Sequence, residues 1–381
     1  MAASPRRGWF SRKLHPLGRL TRKKCHCYNS SCMRAKKHYK LILTILIPVI
    51  LGSLFVAVGL GTTVFSPKET WTSIIMHLAG KEWSKDCGMP ILAYNMIWNM
   101  RLPRVLLGFI VGASLAVCGV AMQALVRNNL ADPFILGVSS GASATAALFM
   151  VFGVFGFLGV FALPLSAFLG ALASIIFVYT IARVGGRINI PQMLLAGVAV
   201  AMIMDAITSL ITFGAKDAFK IRNVDFWLSG SLAGAKWAYL SLPLIVMVLC
   251  LTYLMISYRS LNAMVLGEET AGTLGVSVQR FQKLLVLIVS LLAGVAISVS
   301  GTIGFVGLMM PHLSRILLGS DHKRVLPFSA LLGGMLVVWA DVAARVVAAP
   351  EEMPVGLVTA LVGAPFFVVL LKKKDATRAM N

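Results

Sequence analysis

Apolar residues in this chain run in blocks, and polar residues collect in the short gaps between them. Ten blocks stand out, at 41–65, 104–126, 134–155, 158–182, 192–213, 238–257, 282–300, 302–318, 326–348 and 355–371. A helix of about 20 residues crosses a hydrocarbon core of about 30 Å, so each block is long enough or nearly long enough to do so. The third and fourth blocks meet around Gly153, Gly156 and Gly159, and the seventh and eighth meet at Ser300-Gly301. These are turn signals between helices, and reading them differently changes the count by one either way. The pattern predicts an all-α polytopic membrane protein with about ten transmembrane helices.

Composition agrees. Of 381 residues, 58% are hydrophobic and 13% charged, with a mean hydropathy of +0.85, where soluble domains have about 45–50% and about 25%. This excludes a water-soluble enzyme, a disordered chain and a collagen-like repeat. The formal net charge of +21 would suggest nucleic acid in a soluble protein; here its distribution points to membrane topology and to no nucleic-acid partner. With an even number of spans, 25 Lys and Arg fall on the side of the two termini and ten on the other, and basic loops stay in the cytoplasm. Both termini are therefore expected to be cytoplasmic. Residues 1–40 read as a disordered basic tail attracted to anionic lipid, 41–371 as the transmembrane domain and 372–381 as a second cytoplasmic tail. No A-x-A-like site precedes the first block, so the tail is not read as a cleaved signal peptide. Cys25-His26-Cys27 and Cys32 match no standard zinc spacing, and no metal site is expected.

Several chemistries are missing. The only Gly-Lys pair, Gly80-Lys81, is followed by Glu82, so no phosphate-cradling G-x-x-x-x-G-K-[ST] loop exists and the chain cannot hold ATP itself. No catalytic constellation is visible, and the chain is read as a non-enzyme without a resident cofactor; His312, beside Pro311, is taken as structural. Intramembrane charges, the mark of an ion-coupled carrier, are few: Asp205 and the Asp341/Arg345 pair, whose i,i+4 spacing lets them neutralise each other. Gln123 and Asp205 are expected to hydrogen-bond between helices. Gly108, Gly112 and Ala116, and Gly137 with Gly141, offer small faces for close helix packing.

Three polar stretches carry information. Arg101-Leu102-Pro103-Arg104 precedes the second span, and its arginines are expected to face the outer water layer as a rigid cationic pair suited to carboxylates or to lipid phosphates. The cytoplasmic segment 259–281, with Leu266-Gly267-Glu268-Glu269 and Leu274-Gly275, is expected to form two short amphipathic helices along the membrane surface, because its glycines break a longer one. Asn128 to Pro133 with Gly137-Val138-Ser139-Ser140-Gly141 reads as a turn and a small-residue helix start.

In order along the chain come these stretches, Gly119-Val120-Ala121-Met122-Gln123-Ala124, Leu194-Leu195-Ala196-Gly197, Gly304-Phe305-Val306-Gly307-Leu308 to Pro311-His312, and Pro354-Val355-Gly356 to Gly363-Ala364-Pro365. Together they closely resemble the FecCD-type permease subunits of ATP-binding-cassette importers for iron-siderophore complexes, heme and cobalamin, over about residues 95–371. The resemblance implies a multi-pass subunit of the bacterial cytoplasmic membrane that dimerises with a second permease copy, identical or similar. It further implies partner ATPases carrying ATP and magnesium, and an extracytoplasmic binding protein that delivers cargo. On this resemblance Arg101, Arg104 and Arg345 would meet glutamates of the binding protein. Leu266, Gly267, Glu268, Glu269, Leu274 and Gly275 would couple to the ATPases, and Asn189 and Ile190 would lie at the cytoplasmic gate. Iron-siderophore is the expected cargo, with heme or cobalamin as alternatives and an ion-coupled carrier as the competing class.

Overall fold

The computed structural model describes residues 39–80 and 89–378. The greater part of the tail, Cys87 and the expectations attached to them lie outside the described residues. A helix falls on each of the ten apolar blocks. Seven of these helices are long and apolar enough to cross a membrane, and three apolar ones are shorter, Val138–Phe152, Val306–Leu318 and Val355–Leu370.

In chain order, α1 (Tyr39–Gly59) is followed by a short amphipathic α2 (Pro67–Leu78). Then α3 (Ile91–Met96) runs through a π turn (Ile97–Arg101) straight into α4 (Leu102–Val126). Next come α5 (Val138–Phe152), α6 (Ala162–Ala182), a two-stranded hairpin of β1 (Arg183–Val184) and β2 (Arg187–Ile188), α7 (Ile190–Phe213) and a second short helix, α8 (Ala218–Leu228). The remainder is α9 (Ser241–Ile256), α10 (Tyr258–Val265), α11 (Glu268–Thr273), α12 (Val278–Ser300), α13 (Val306–Leu318), α14 (His322–Val347) and α15 (Val355–Arg378). The hairpin, α2 and α8 were not anticipated, because each is too short to leave a periodic apolar signature.

The core is built around α4, buried on every side from Val105 to Leu125 except for a few partly buried positions, with α12, α13 and α14 packed against it. Small residues make this possible. A side chain at Gly112 would strike the Gly333 carbonyl of α14, and one at Gly119 would strike the backbone of Gly307 in α13. The expected small-residue stripe of α4 is thus a backbone-to-backbone contact, in which van der Waals packing replaces the hydrophobic drive that lipid cannot supply. At the other extreme, α1, α7 and α9 leave most of their apolar side chains exposed. The turns predicted from glycine are present, with positive φ at Gly153 and Gly159 between α5 and α6, and at Gly301 after α12.

Candidate functional site

The Arg101 to Arg104 segment is placed by the π turn, which joins α3 to α4 without a break, with Arg101 reaching the corner between α1 and α2 and Arg104 reaching α14 and Glu352. Single π turns within α-helices recur at functional sites. Arg101 donates to the carbonyl oxygens of Gly59 (2.9 Å), Val58 (3.2 Å) and Thr63, and to the Thr63 hydroxyl (2.8 Å), while lying 4.3 Å from the centre of the Phe65 ring. Arg104 bridges two acids, Asp341 of α14 through Nε (2.9 Å) and Glu352 through Nη1 (2.9 Å). Arg345 pairs with Asp341 at 3.0 Å, the i,i+4 contact read from the sequence, and donates to the Leu60 carbonyl at 2.8 Å.

These arginines are 5%, 7% and 4% exposed, which corrects the expectation of a pair projecting into outer water. The reason lies in distant segments: α1 ends in a corner of carbonyls lacking helical partners, and Asp341 is buried in the bundle, where a charge is tolerated only when paired. All three arginines nevertheless line one cavity of about 180 Å³, with Glu352 on its wall. Three guanidinium groups meet two carboxylates there, so one positive charge, that of Arg101, is held by neutral acceptors alone. Glu352 escaped sequence reasoning because it lies 248 positions from its partner.

At the opposite end of α4 the chain leaves the helix at Arg127, in a left-handed conformation. The segment expected to couple folds as two short helices, α10 and α11, separated by Gly267 at φ 114. Leu266 and Leu274 are 66% and 64% exposed, and Glu269, Thr270 and Gly275 are exposed with them. Glu268 behaves differently: it accepts from Arg127 (3.0 Å) and from Gln282 (3.2 Å), tying the knob to α4 and α12. Its carboxylate is thus engaged within the chain, and Glu269 is the free acid of the two. The knob is also pinned to α14, where Asn262 donates to Asp321 at 2.9 Å. Burial pushes the Asp321 carboxyl up, but hydrogen bonds from Asn262 and the Lys323 N–H outweigh it and hold it below the usual range.

Asn189 and Ile190 sit where the hairpin meets α7. Asn189 is exposed and caps the helix, its side chain accepting from Gln192 N–H, whereas Ile190 is buried. Gly185 and Gly186, both at positive φ, make the hairpin turn. The structure brings these two residues neither to the arginine cavity nor to the α10–α11 knob.

The polar residues inside the spans part company. Gln123 hydrogen-bonds between helices as expected, to the Leu308 carbonyl and to Arg315 of α13. Asp205 does not. It is exposed on α7, and its carboxylate has no hydrogen-bond or ion-pair partner among the described residues; only its carbonyl oxygen accepts, from Ser209. Among the described residues no cluster of His, Cys, Asp and Glu could hold a metal ion.

Comparison with known proteins places these features in context. The sequence profile of the FecCD transport family matches residues 37–373. The chain is 42% identical to the cobalamin import system permease protein of Halobacterium salinarum over 76% of each chain. It is 41% identical to the hemin transport system permease protein of Yersinia pestis, over 74% of this chain and 85% of that one. A solved inward-facing conformation of a metal-chelate type ABC transporter superposes with a TM-score of 0.74 at 29% identity, covering 88% of this chain and 99% of the other.

Proposed function

The chain belongs to the FecCD transport family and is an ABC-importer permease; from that premise we propose that two copies of it, or this chain and a similar one, enclose a pathway that carries an iron-siderophore complex across the bacterial cytoplasmic membrane. The observation that carries this reading is the α10–α11 knob, whose exposed leucines and Glu269 project from a permease without a nucleotide loop of its own. In the proposed cycle, ATP and magnesium bind a partner ATPase, its closure displaces the knob, and the Arg127–Glu268 pair passes that displacement to α4 as a rigid-body movement. With ten spans and both termini in the cytoplasm, the knob and the ATPase lie on the same side.

On the outer side the arginine cavity serves the binding protein. Its one uncompensated positive charge suits an acidic side chain inserted from outside, and a desolvated charge pair of that kind fixes docking register more than it adds affinity. The docking residues in this proposal remain Arg101, Arg104 and Arg345, acting from within a cavity. Asn189, open at the start of α7, stands at the cytoplasmic gate, with Ile190 packed behind it.

Uptake of radiolabelled iron tests the proposal, supplied as a panel of ferric siderophores and as heme to iron-starved deletion cells with and without the gene restored. Restoration for a ferric siderophore alone supports the stated cargo, and restoration for heme alone reassigns it. Indifference to all of them, with rescue by cobalamin, moves the protein to the cobalamin importers. Uptake that survives ATP depletion but collapses with the proton gradient overturns the ATP-driven reading in favour of an ion-coupled carrier.

A further inference from the structure

The exposed face of α7 differs from every other exposed face in the bundle. Pro191, Leu195, Val198, Met202, Asp205, Ser209 and Phe213 recur at spacings of three and four along α7, forming one continuous stripe, and all seven are exposed. Asp205 sits within that stripe, about 12 Å from the C-terminal end of the helix at a rise of about 1.5 Å per residue. From Leu41 onward in α1, and throughout α6 and α9, the exposed faces carry only apolar or uncharged residues. Outside the first and last two turns of the apolar helices, Asp205 is the one exposed charged residue among the described residues.

Lipid is a poor environment for it. A carboxylate at the centre of a spanning helix costs at least about 2.5–3.5 kcal/mol, and such residues face protein or a water-filled cavity. Among the described residues no group meets the Asp205 carboxylate, and the stripe holds no Lys, Arg or His. What remains is the space between this helix and a second copy, where water can solvate the carboxylate. If two copies close around a pathway, the two-fold axis presents the same acid from both sides, doubling the negative field with no base on either stripe to cancel it.

We propose that Asp205 lines the translocation pathway and makes it charge-selective, passing cationic and neutral metal chelates and retarding anionic ones such as ferric tricatecholates. This inference rests on the proposed pathway between two copies of the permease and adds that the exposed face of α7 is turned toward it. Discrimination here works by repulsion: an anionic chelate must pass two like charges facing each other across the pathway, whereas apolar walls alone would not distinguish chelates by charge. Affinity can remain with the binding protein, and the acid acts on what is allowed to cross. For the siderophore reading it narrows the cargo to complexes of net charge zero or above, such as ferric hydroxamates.

Thiol chemistry tests this without knowledge of the cargo. Met202→Cys, one turn from Asp205 on the same stripe, is placed in the full chain with Cys25, Cys27, Cys32 and Cys87 changed to serine; Cys118 and Cys250 are buried. In membrane vesicles holding the assembled transporter, the rates of modification by a cationic and an anionic methanethiosulfonate are compared with Asp205 present and with Asp205→Asn, an isosteric change checked for intact folding by size-exclusion chromatography. The cationic-to-anionic rate ratio should fall about tenfold on removing the charge at low ionic strength, and this difference should shrink in molar salt. A ratio unaltered by Asp205→Asn, with both reagents reacting, overturns the charge-selective role and leaves the pathway reading intact. Reaction with a lipid-soluble maleimide but with neither charged reagent removes water from this face, and both readings then fall.

Discussion

The two ends of α4 use charge in opposite ways. At the Arg104 end, three arginines and Asp341 are buried and interlocked with the more exposed Glu352, so that each guanidinium is held by groups from other elements of the same chain. At the Arg127 end, one half-exposed ion pair anchors a knob whose leucines and Glu269 touch nothing that would restrain them. A buried charge network tolerates little change because each member left without its partner keeps its desolvation cost, whereas an exposed knob is open to whatever docks on it. Under the proposed function the first region adds structural integrity to its docking role, and the second is the surface that a partner ATPase would meet.

The largest expected effect lies in the arginine cavity. Arg104→Ala leaves Asp341 with Arg345 alone and Glu352 without its ion-pair partner, and loss of one partner of a buried pair costs about 3–5 kcal/mol. Thermal unfolding in detergent should show a large drop in midpoint or no folded protein, and a midpoint equal to that of the parent would contradict the structural role. Leu266→Ser with Leu274→Ser makes the opposite case. Exposed substitutions of this kind change stability by within about 0.5 kcal/mol, so the midpoint should stay put while uptake falls sharply and ATP hydrolysis no longer responds to cargo. Normal uptake by that double variant would erase the contrast between the two ends.

The smallest effect concerns α2, beside the arginine cavity. Ser66 and Glu69 form a reciprocal cap, with Ser66 N–H donating to Glu69 at 2.8 Å and Glu69 N–H donating to the Ser66 hydroxyl at 3.2 Å. Hydrogen bonds from the Ser66 backbone and hydroxyl hold the Glu69 carboxyl below its ordinary value of 4.5. A depressed carboxyl stabilises the folded state above the unfolded value and loses that contribution as pH falls through the folded one. The thermal midpoint should decline slightly below about pH 4.5 in the parent and less in Glu69→Ala, and parallel pH profiles would discount the cap.

Much of this was legible in the sequence, for identifiable reasons. Unbroken apolar length locates helices because every backbone polar group in lipid must be paired within its own segment. The Asp341/Arg345 pair was readable because helical periodicity fixes which residues three or four apart share a face. What escaped was non-local. That Arg101 and Arg104 turn inward depends on carbonyls at the end of α1 and on Glu352, and the partnership of Glu268 with Arg127 spans 141 positions. Asp205 misled for the same reason: among the described residues no neighbouring helix supplies its expected partner, a fact set by which face of α7 the bundle covers.

The sequence by itself therefore determined the membrane-embedded helical class, the approximate places of the long apolar helices, and the family, since hydropathy, turn glycines and ordered motifs are properties of consecutive residues. Only the tertiary structure decided which charges are spent inside the bundle and which remain available to a partner or to cargo. The physical reason is that burial and pairing arise from the meeting of distant segments, and in a low-dielectric interior that meeting, rather than residue type, fixes what a charge can do.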